Sequence, residues 1–508
     1  MSRFESRLAP APLSLPALRA GGIREDLLPA FVDPVGTDRP AARLLQPGAL
    51  AVTTGQQPGL FTGPLYTIFK AISAVALARM LEARWSRPVV PVFWVAGDDH
   101  DFAEAATVSW LSGDGTPVRA ILRERPAEAP MLPMYRELLG PEIEGLLSRI
   151  EEALPQGEHR EEVIAALRRH YRPEATIAGS CAALLAEWLA PLGVAVFDPT
   201  HPAAKRVQAP LLLEALRRHG SIQQRLEGRH QELQDLGLDP GVAVTDGASL
   251  VMVEAAEGRD RLVQAGEGFE SRRSREFWSM ESLEALAVSQ PERLSANVLL
   301  RPVVESQLLP TVAYVAGPAE LRYLALSRTL YEAFGIHAQL PLPRWSGMIV
   351  DPRVDRVLEK FGAGLEELLA PSQQLENRVV REQLPAEATD AIARLRERLL
   401  ADYEVLARVA IEIDPTIERS IRNLAGQAQN GVADAEKRLV AHLKKRRATE
   451  TAQIARARET LLPGGTPQER VLTVAPWLAR QGSGLFGEAE RVISDWYRAS
   501  LEPAHSGH

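Results

Sequence analysis

One pattern constrains this chain more than any other, and it occurs three times. An unbroken apolar run is followed by glycine with polar residues, and then by helical spacing. The first run, Ala49 to Thr54, leads into Gly55-Gln56-Gln57-Pro58-Gly59-Leu60-Phe61-Thr62-Gly63-Pro64. Apolar residues then fall at Leu65, Ile68, Phe69, Ile72, Val75 and Ala76, which is the spacing of one helix face. The second run, Val89 to Val95, leads into Gly97-Asp98-Asp99-His100-Asp101-Phe102-Ala103-Glu104. The third, Thr311 to Val315, leads into Ala316-Gly317-Pro318-Ala319-Glu320. A further run covers Val194 to Phe197. Apolar runs that do not alternate are strands covered on both faces, and strands that alternate with helices build a doubly wound parallel sheet. The fold class expected is therefore α/β with a Rossmann-like core.

Two stretches interrupt the alternation. Residues from about Pro130 to Ala190 read as helical, and from Gly241 to about Ala265 short β segments turn at Asp246-Gly247 and Glu257-Gly258. Both read as insertions in the core, near 130–190 and 220–295. The C-terminal third differs. Ile392, Leu395, Leu399, Leu406 and Val409 lie near heptad spacing, Asp414-Pro415 supplies a cap and a first-turn proline, and a second stripe begins at Ile417. That second helix could reach Leu461, on the order of 65 Å at 1.5 Å per residue. The pattern predicts an antiparallel helical coiled coil at about 356–462, serving as an arm or a dimer interface. It follows a core at 1–355 and precedes a tail at 463–508 that is apolar enough to pack back.

The 508 residues carry a net charge of −8, which argues against nucleic acid as a partner. A single cysteine, Cys181, rules out an intramolecular disulfide and a cysteine-built zinc site, and its apolar setting reads as a packed helix face. No signal-like segment or membrane-length apolar run appears, so the expected compartment is the cytoplasm, with no membrane partner.

Three clusters could carry chemistry. The Thr53–Pro64 turn opens a helix, and free N–H groups at a helix start suit a phosphate or carboxylate. Thr54, Gly55, Gln56, Gln57, Gly59, Thr62 and Gly63 are its candidate binding residues, and Lys70, two turns on, could add positive charge. The turn matches neither a Walker loop nor the dinucleotide fingerprint. In the second cluster, Asp99, His100 and Asp101 are the candidate catalytic residues, with Asp98 binding substrate. Carboxylates and an imidazole this close can act as a base, hold an amine or hold a metal, although no metal-binding motif is present. A structural role is open too, with Asp101 capping a helix. Tyr314, Gly317 and Glu320 make the third cluster, where Glu320 alternatively serves the helix start electrostatically.

Together these segments resemble the bacillithiol biosynthesis cysteine-adding enzymes. The resemblance rests on Thr53–Thr67, Pro91–Phe102, Val315–Glu320 and Pro463–Leu472, in that order along nearly the whole chain. Phe69 stands where histidine is common in that family, and Asp98 where glutamate is common. The resemblance implies a core similar to the nucleotide fold of class I aminoacyl-tRNA synthetases, and a coiled coil that makes a homodimer. It implies a ligase that adds cysteine to glucosaminyl-malate in the last step of bacillithiol synthesis, with ATP or another nucleotide as activator. His100 is the base expected from its ordinary pKa. The competing readings are a metal-dependent hydrolase or transferase built on Asp98–Asp101, and a non-catalytic dimeric scaffold.

Overall fold

The fold is described from a computed structural model, which covers residues 2–34, 39–371, 374–382 and 384–501. Of the spans expected above, 1 and 35–38 in the core, 372, 373 and 383 in the helical domain and 502–508 in the tail lie outside the described residues. The chain forms two compact units, one of residues 4–349 with 466–508 and the other of residues 1–3 with 350–465.

The larger unit is built on a six-stranded sheet. Its strands are β1 (Phe31–Val32), β2 (Leu50–Gln56), β3 (Val89–Val95), β4 (Ala195–Phe197), β5 (Thr311–Ala316) and β6 (Leu340–Pro343). Their order across the sheet is β6-β5-β2-β3-β4-β1. All neighbours run parallel except β1 against β4. The apolar runs are strands for the reason given: β2 and β3 are covered on both faces. Leu50, Val52, Phe93 and Val95 join one core, while Ala51, Val90, Val92 and Trp94 join the other, as a period of two requires. Sequence order reverses between β5 and β2, which makes their carboxyl ends a topological switch point.

Helices α1 (Leu65–Trp85), α2 (Phe102–Ala105), α3 (Pro202–Arg217), α4 (Arg301–Leu308) and α5 (Pro318–Phe334) follow or flank these strands. Helix α1 buries Leu65, Thr67, Ile68, Phe69, Lys70 and most of the turns beyond, so it is a central helix covered on nearly every side. The first insertion holds three helices, Glu142–Ala153, Arg160–His170 and Ile177–Leu189. Residues 130–141 are not helical, contrary to the expectation. They lie against the loop after β3, where the amides of Met134 and Tyr135 donate to the carbonyls of Asp99 and Gly97. The second insertion is a five-stranded antiparallel sheet that includes Ala248–Ala255, Gly258–Ala265 and Leu294–Ala296.

In the smaller unit, α6 (Ala386–Ile413) and α7 (Glu418–Arg446) pack together. Arg396 meets Glu436 while Glu404 meets Arg422, so the pair is antiparallel. Asp414 caps the connection, its carboxylate accepting from the Thr416 amide at 2.8 Å. Ala407 and Ala410 of the first helix and Val432 and Val440 of the second are buried. The expected unbroken helix to Leu461 is corrected: Arg447, at φ −109° and ψ 30°, separates α7 from α8 (Ala448–Leu461). No proline or glycine marks that break, and nothing in the structure explains it.

From Thr466 the chain belongs to the larger unit again. Gln468 and Glu469 are buried there, and α9 (Gly484–Leu501) packs along α1. Among the described residues no helix is long and apolar enough to cross a membrane.

Candidate active site

The β2–α1 turn divides into two halves. Gly55, Gln56 and Gln57 line a cavity of about 540 Å³ at the carboxyl ends of the parallel strands. Gly55 is required by the close approach of β3, since a Cβ would stand 2.8 Å from the Trp94 carbonyl oxygen. The other half packs into the protein. Thr54 is fully buried and donates its hydroxyl to the Val315 carbonyl at 2.8 Å, joining β2 to β5. Tyr171 donates to the Gly59 carbonyl and accepts from the Thr62 amide. The Gly63 amide donates to Leu60, and the Leu65 amide, first in α1, donates to Leu472. The anion cradle expected at this helix start is therefore corrected. The amides of Thr62, Gly63, Leu65 and Thr67 have protein acceptors, and Thr54, Gly59, Thr62 and Gly63 do not line the cavity.

Lys70 is also placed differently from expectation. Its ammonium is buried and donates to the Gly55 carbonyl at 2.5 Å, to Gln56 at 3.2 Å and to Glu320 at 2.5 Å. Glu320 further accepts from the Gly317 amide at 2.6 Å and the Tyr314 hydroxyl at 2.7 Å. Burial raises the Glu320 carboxyl, but the Lys70 charge and these hydrogen bonds outweigh it and hold the group below the ordinary 4.5. Glu320, Lys70, Tyr314 and Gly317 thus lock the ends of β2 and β5 together on the cavity wall.

After β3, Asp98 pairs with the buried Lys205 at 2.6 Å. Asp99 turns its oxygen onto its own loop, accepting from the amides of His100 and Asp101 at 2.6 and 3.1 Å. Asp101 caps α2 by accepting from the Glu104 amide at 3.1 Å, and does not line the main cavity. Asp98, Asp99 and His100 do line it. Burial, and then the charge of Arg259, hold the His100 imidazole below its ordinary 6.5, against the opposite pull of Asp99 and Asp101. Among the described residues no three histidine, cysteine, aspartate or glutamate side chains converge as a metal would require.

Several groups that the sequence reading did not single out complete the wall. Glu104, though exposed, accepts from the Tyr66 hydroxyl, and partial desolvation with the charges of Asp101 and Asp99 raises its carboxyl above 4.5. Arg259 and Arg261 come from the antiparallel sheet, Arg301 from α4, and Arg344 from the segment after β6. Arg301 pairs with the buried Glu305 and stacks over the Tyr314 ring at 5.0 Å. Arg344 makes a two-pronged pair with Glu469 at 2.8 and 2.9 Å. Arg261 is different. Its half-buried guanidinium has no acid or acceptor partner among the described residues, and its charged neighbours are Arg272 and Arg259. Since a half-buried charge without a partner is costly, Arg261 is the part of the wall that suits an anion.

Two sequence details also find their place. Phe69 packs edge-on against Trp345 and Phe4 in the core, away from the cavity. Cys181 is buried, and burial pushes its thiol up to about 12, as inert packing requires.

Residues 34–345 match the family model described as "Bacillithiol biosynthesis BshC, N-terminal Rossmann-like domain". Residues 347–492 match "Bacillithiol biosynthesis BshC, C-terminal coiled-coil domain". The chain belongs to the BshC family. A protein of Heliobacterium modesticaldum named "Putative cysteine ligase BshC" is 34% identical over 464 residues, covering 90% of this chain and 83% of its own. The proteins of the same name from Prosthecochloris aestuarii and Symbiobacterium thermophilum are 28% and 32% identical, covering 89% and 87% of this chain and 82% of their own in each case. The family resemblance and the fold class expected from sequence are both borne out by these matches, and the naming of relatives supports a ligase.

The residues missed in the sequence share one property. Arg259, Arg261, Arg301, Lys205 and Arg344 lie outside the three turns, on an insertion, on helices and on the segment after β6. Glu104, Tyr66 and Arg470, also on the wall, lie within segments already noted. A periodicity reading had no means of bringing the others to the same cavity.

Proposed function

We propose that this chain is a carbon–nitrogen ligase that joins the carboxyl group of cysteine to the amine of glucosaminyl-malate, completing bacillithiol. The carrying observation is a cavity at the β2/β5 switch point that offers a guanidinium without a partner among the described residues, Arg261, beside a half-buried imidazole, His100, and a carboxyl with a raised pKa, Glu104. Family membership supplies the chemistry.

Amide formation creates a C–N bond, takes a proton from the nitrogen and expels one carboxyl oxygen. The carboxyl must be activated, and a nucleotide is the proposed activator. The steps assigned to this chain concern the amine and the carbonyl only. Arg261 would bind a substrate carboxylate, and the malyl group has two. Glu104, with its raised carboxyl, would take the proton from the attacking amine. The Lys70–Glu320 pair would hold the strand ends and touch no reacting atom.

We also propose that the exposed apolar residues of the helical hairpin, among them Leu406, Val409 and Leu424, pair with a second copy to give a homodimer. The proposed compartment is the cytoplasm.

The test is direct. Purified protein is incubated with cysteine, glucosaminyl-malate and ATP, and the products are weighed by mass spectrometry. The expected species has the summed mass of the two substrates less one water, and it is depleted with Glu104→Gln. Folded protein that yields no such species with any nucleoside triphosphate sinks the proposal.

A further inference from the structure

His100 stands where two cavities meet. One is the cavity of about 540 Å³ described above. The other, of about 860 Å³, opens over Phe102, Arg119 and Ile121, and Gln57, Asp99 and His100 line both. A side chain in a shared wall can reach a substrate in either.

Its ring has a defined polarity. Nδ1 lies 3.3 Å from Nη1 of Arg259. A guanidinium has five N–H donors, no acceptor, and a proton it does not lose in a protein. Across this contact Arg259 must donate and Nδ1 must accept. Arg259 is not able to turn away, because its Nε donates to Ser295 at 2.9 Å and its Nη2 to the Ala296 carbonyl at 2.8 Å. A neutral imidazole carries one N–H, so with Nδ1 accepting, the proton sits on Nε2. Among the described residues nothing accepts from Nε2. Burial and the Arg259 charge both disfavour a second proton on the ring.

We infer that His100 is a fixed hydrogen-bond donor whose Nε2–H serves a substrate oxygen, and that Arg259 is the positioning residue that sets this tautomer. This reverses the base role expected of His100 from sequence and leaves proton acceptance to Glu104. The inference rests on the ligase reading only for the identity of the oxygen, which is the cysteine carboxyl oxygen that gains negative charge as the amine adds. A preset donor at such an oxygen is worth about 10²–10³ in rate.

The experiment has two arms on the full chain. Imidazole nitrogen NMR of protein labelled at its 10 histidines, with His100→Gln identifying the signal, reads the tautomer directly. The expected result is a proton on Nε2 of His100 that becomes a mixture of tautomers in Arg259→Met. A proton on Nδ1, or an unchanged signal in Arg259→Met, overturns the inference. In the second arm, His100→Gln keeps an N–H donor near the Nε2 position, whereas His100→Asn and His100→Ala do not. Condensation activity in the glutamine variant is expected to exceed the other two by roughly tenfold or more. Equal losses in all three overturn the donor role. The outcomes separate from the function proposed above. An Nε2–H tautomer with no condensation product refutes the ligase and leaves the donor in place for another oxygen-bearing ligand. Product formed by protein with an Nδ1–H tautomer does the reverse.

Discussion

At the scale of the residue, the decisive features are which charges have partners. Lys70 and Glu320 are 250 positions apart in sequence and meet at 2.5 Å with little solvent between them. Glu320→Gln strands a buried ammonium and is expected to cost about 3–5 kcal/mol, read as a lower urea midpoint. The sign with pH follows from the lowered Glu320 carboxyl. Its contribution to stability is complete above the ordinary 4.5 and is lost as pH falls below that through the lowered value. The wild type should thus lose stability in that acid range more steeply than Glu320→Gln. Glu104 has the opposite shift. Its carboxyl is raised, so an activity that needs it ionised should fall off at a higher pH than an unperturbed glutamate would give, and the acid limb should vanish in Glu104→Gln. Among the described residues Arg261 has no partner that its removal could strand. Arg261→Ala should fold normally and raise KM for glucosaminyl-malate by roughly 10- to 100-fold, about 1.5–3 kcal/mol, with kcat little changed.

At the scale of the element, strands and helices were legible because each apolar run reports its own burial. Val89–Val95 reads as a doubly covered strand and is one. The helix start after Gly63 was legible in position but not in use. Whether its amides face ligand or protein depends on Leu472 and Tyr171, which come from elsewhere in the chain. The break at Arg447 had no sequence signal at all. Gly55 is a residue whose need is set by its neighbour strand. Gly55→Ala places a methyl 2.8 Å from the Trp94 carbonyl oxygen and should lower stability by about 1–3 kcal/mol, measured by thermal melting. On the hairpin, Leu406 and Val409 are 48% and 47% exposed within one chain, which leaves an apolar stripe without a cover. On the homodimer proposed above, Leu406→Glu with Val409→Glu should shift sedimentation from dimer to monomer while leaving helical content intact.

At the scale of the whole molecule, the larger unit closes on itself through its last segment. Arg344 and Glu469 are nearly fully buried and bonded at two points, and Glu469 also accepts from Ser346 and the Gly347 amide. Glu469 thereby fastens that unit, with Arg470 beside it on the cavity wall. By itself, the sequence determined the α/β class, the parallel strands, the two insertions, the helical hairpin and three of the polar strand ends. Those are properties of local period and turn chemistry, which a chain carries wherever it lies. The tertiary structure alone decided that β5 lies beside β2, that Lys70 serves Glu320 instead of a ligand, that Arg261 is left without a partner, and that Arg259 sets the His100 ring. The physical reason is that these are relations between groups far apart in sequence, 159 positions for Arg259 and His100 and 250 for Lys70 and Glu320. Coulomb attraction, desolvation and hydrogen bonding depend on distance in space, and only the folded sheet brings those groups within reach.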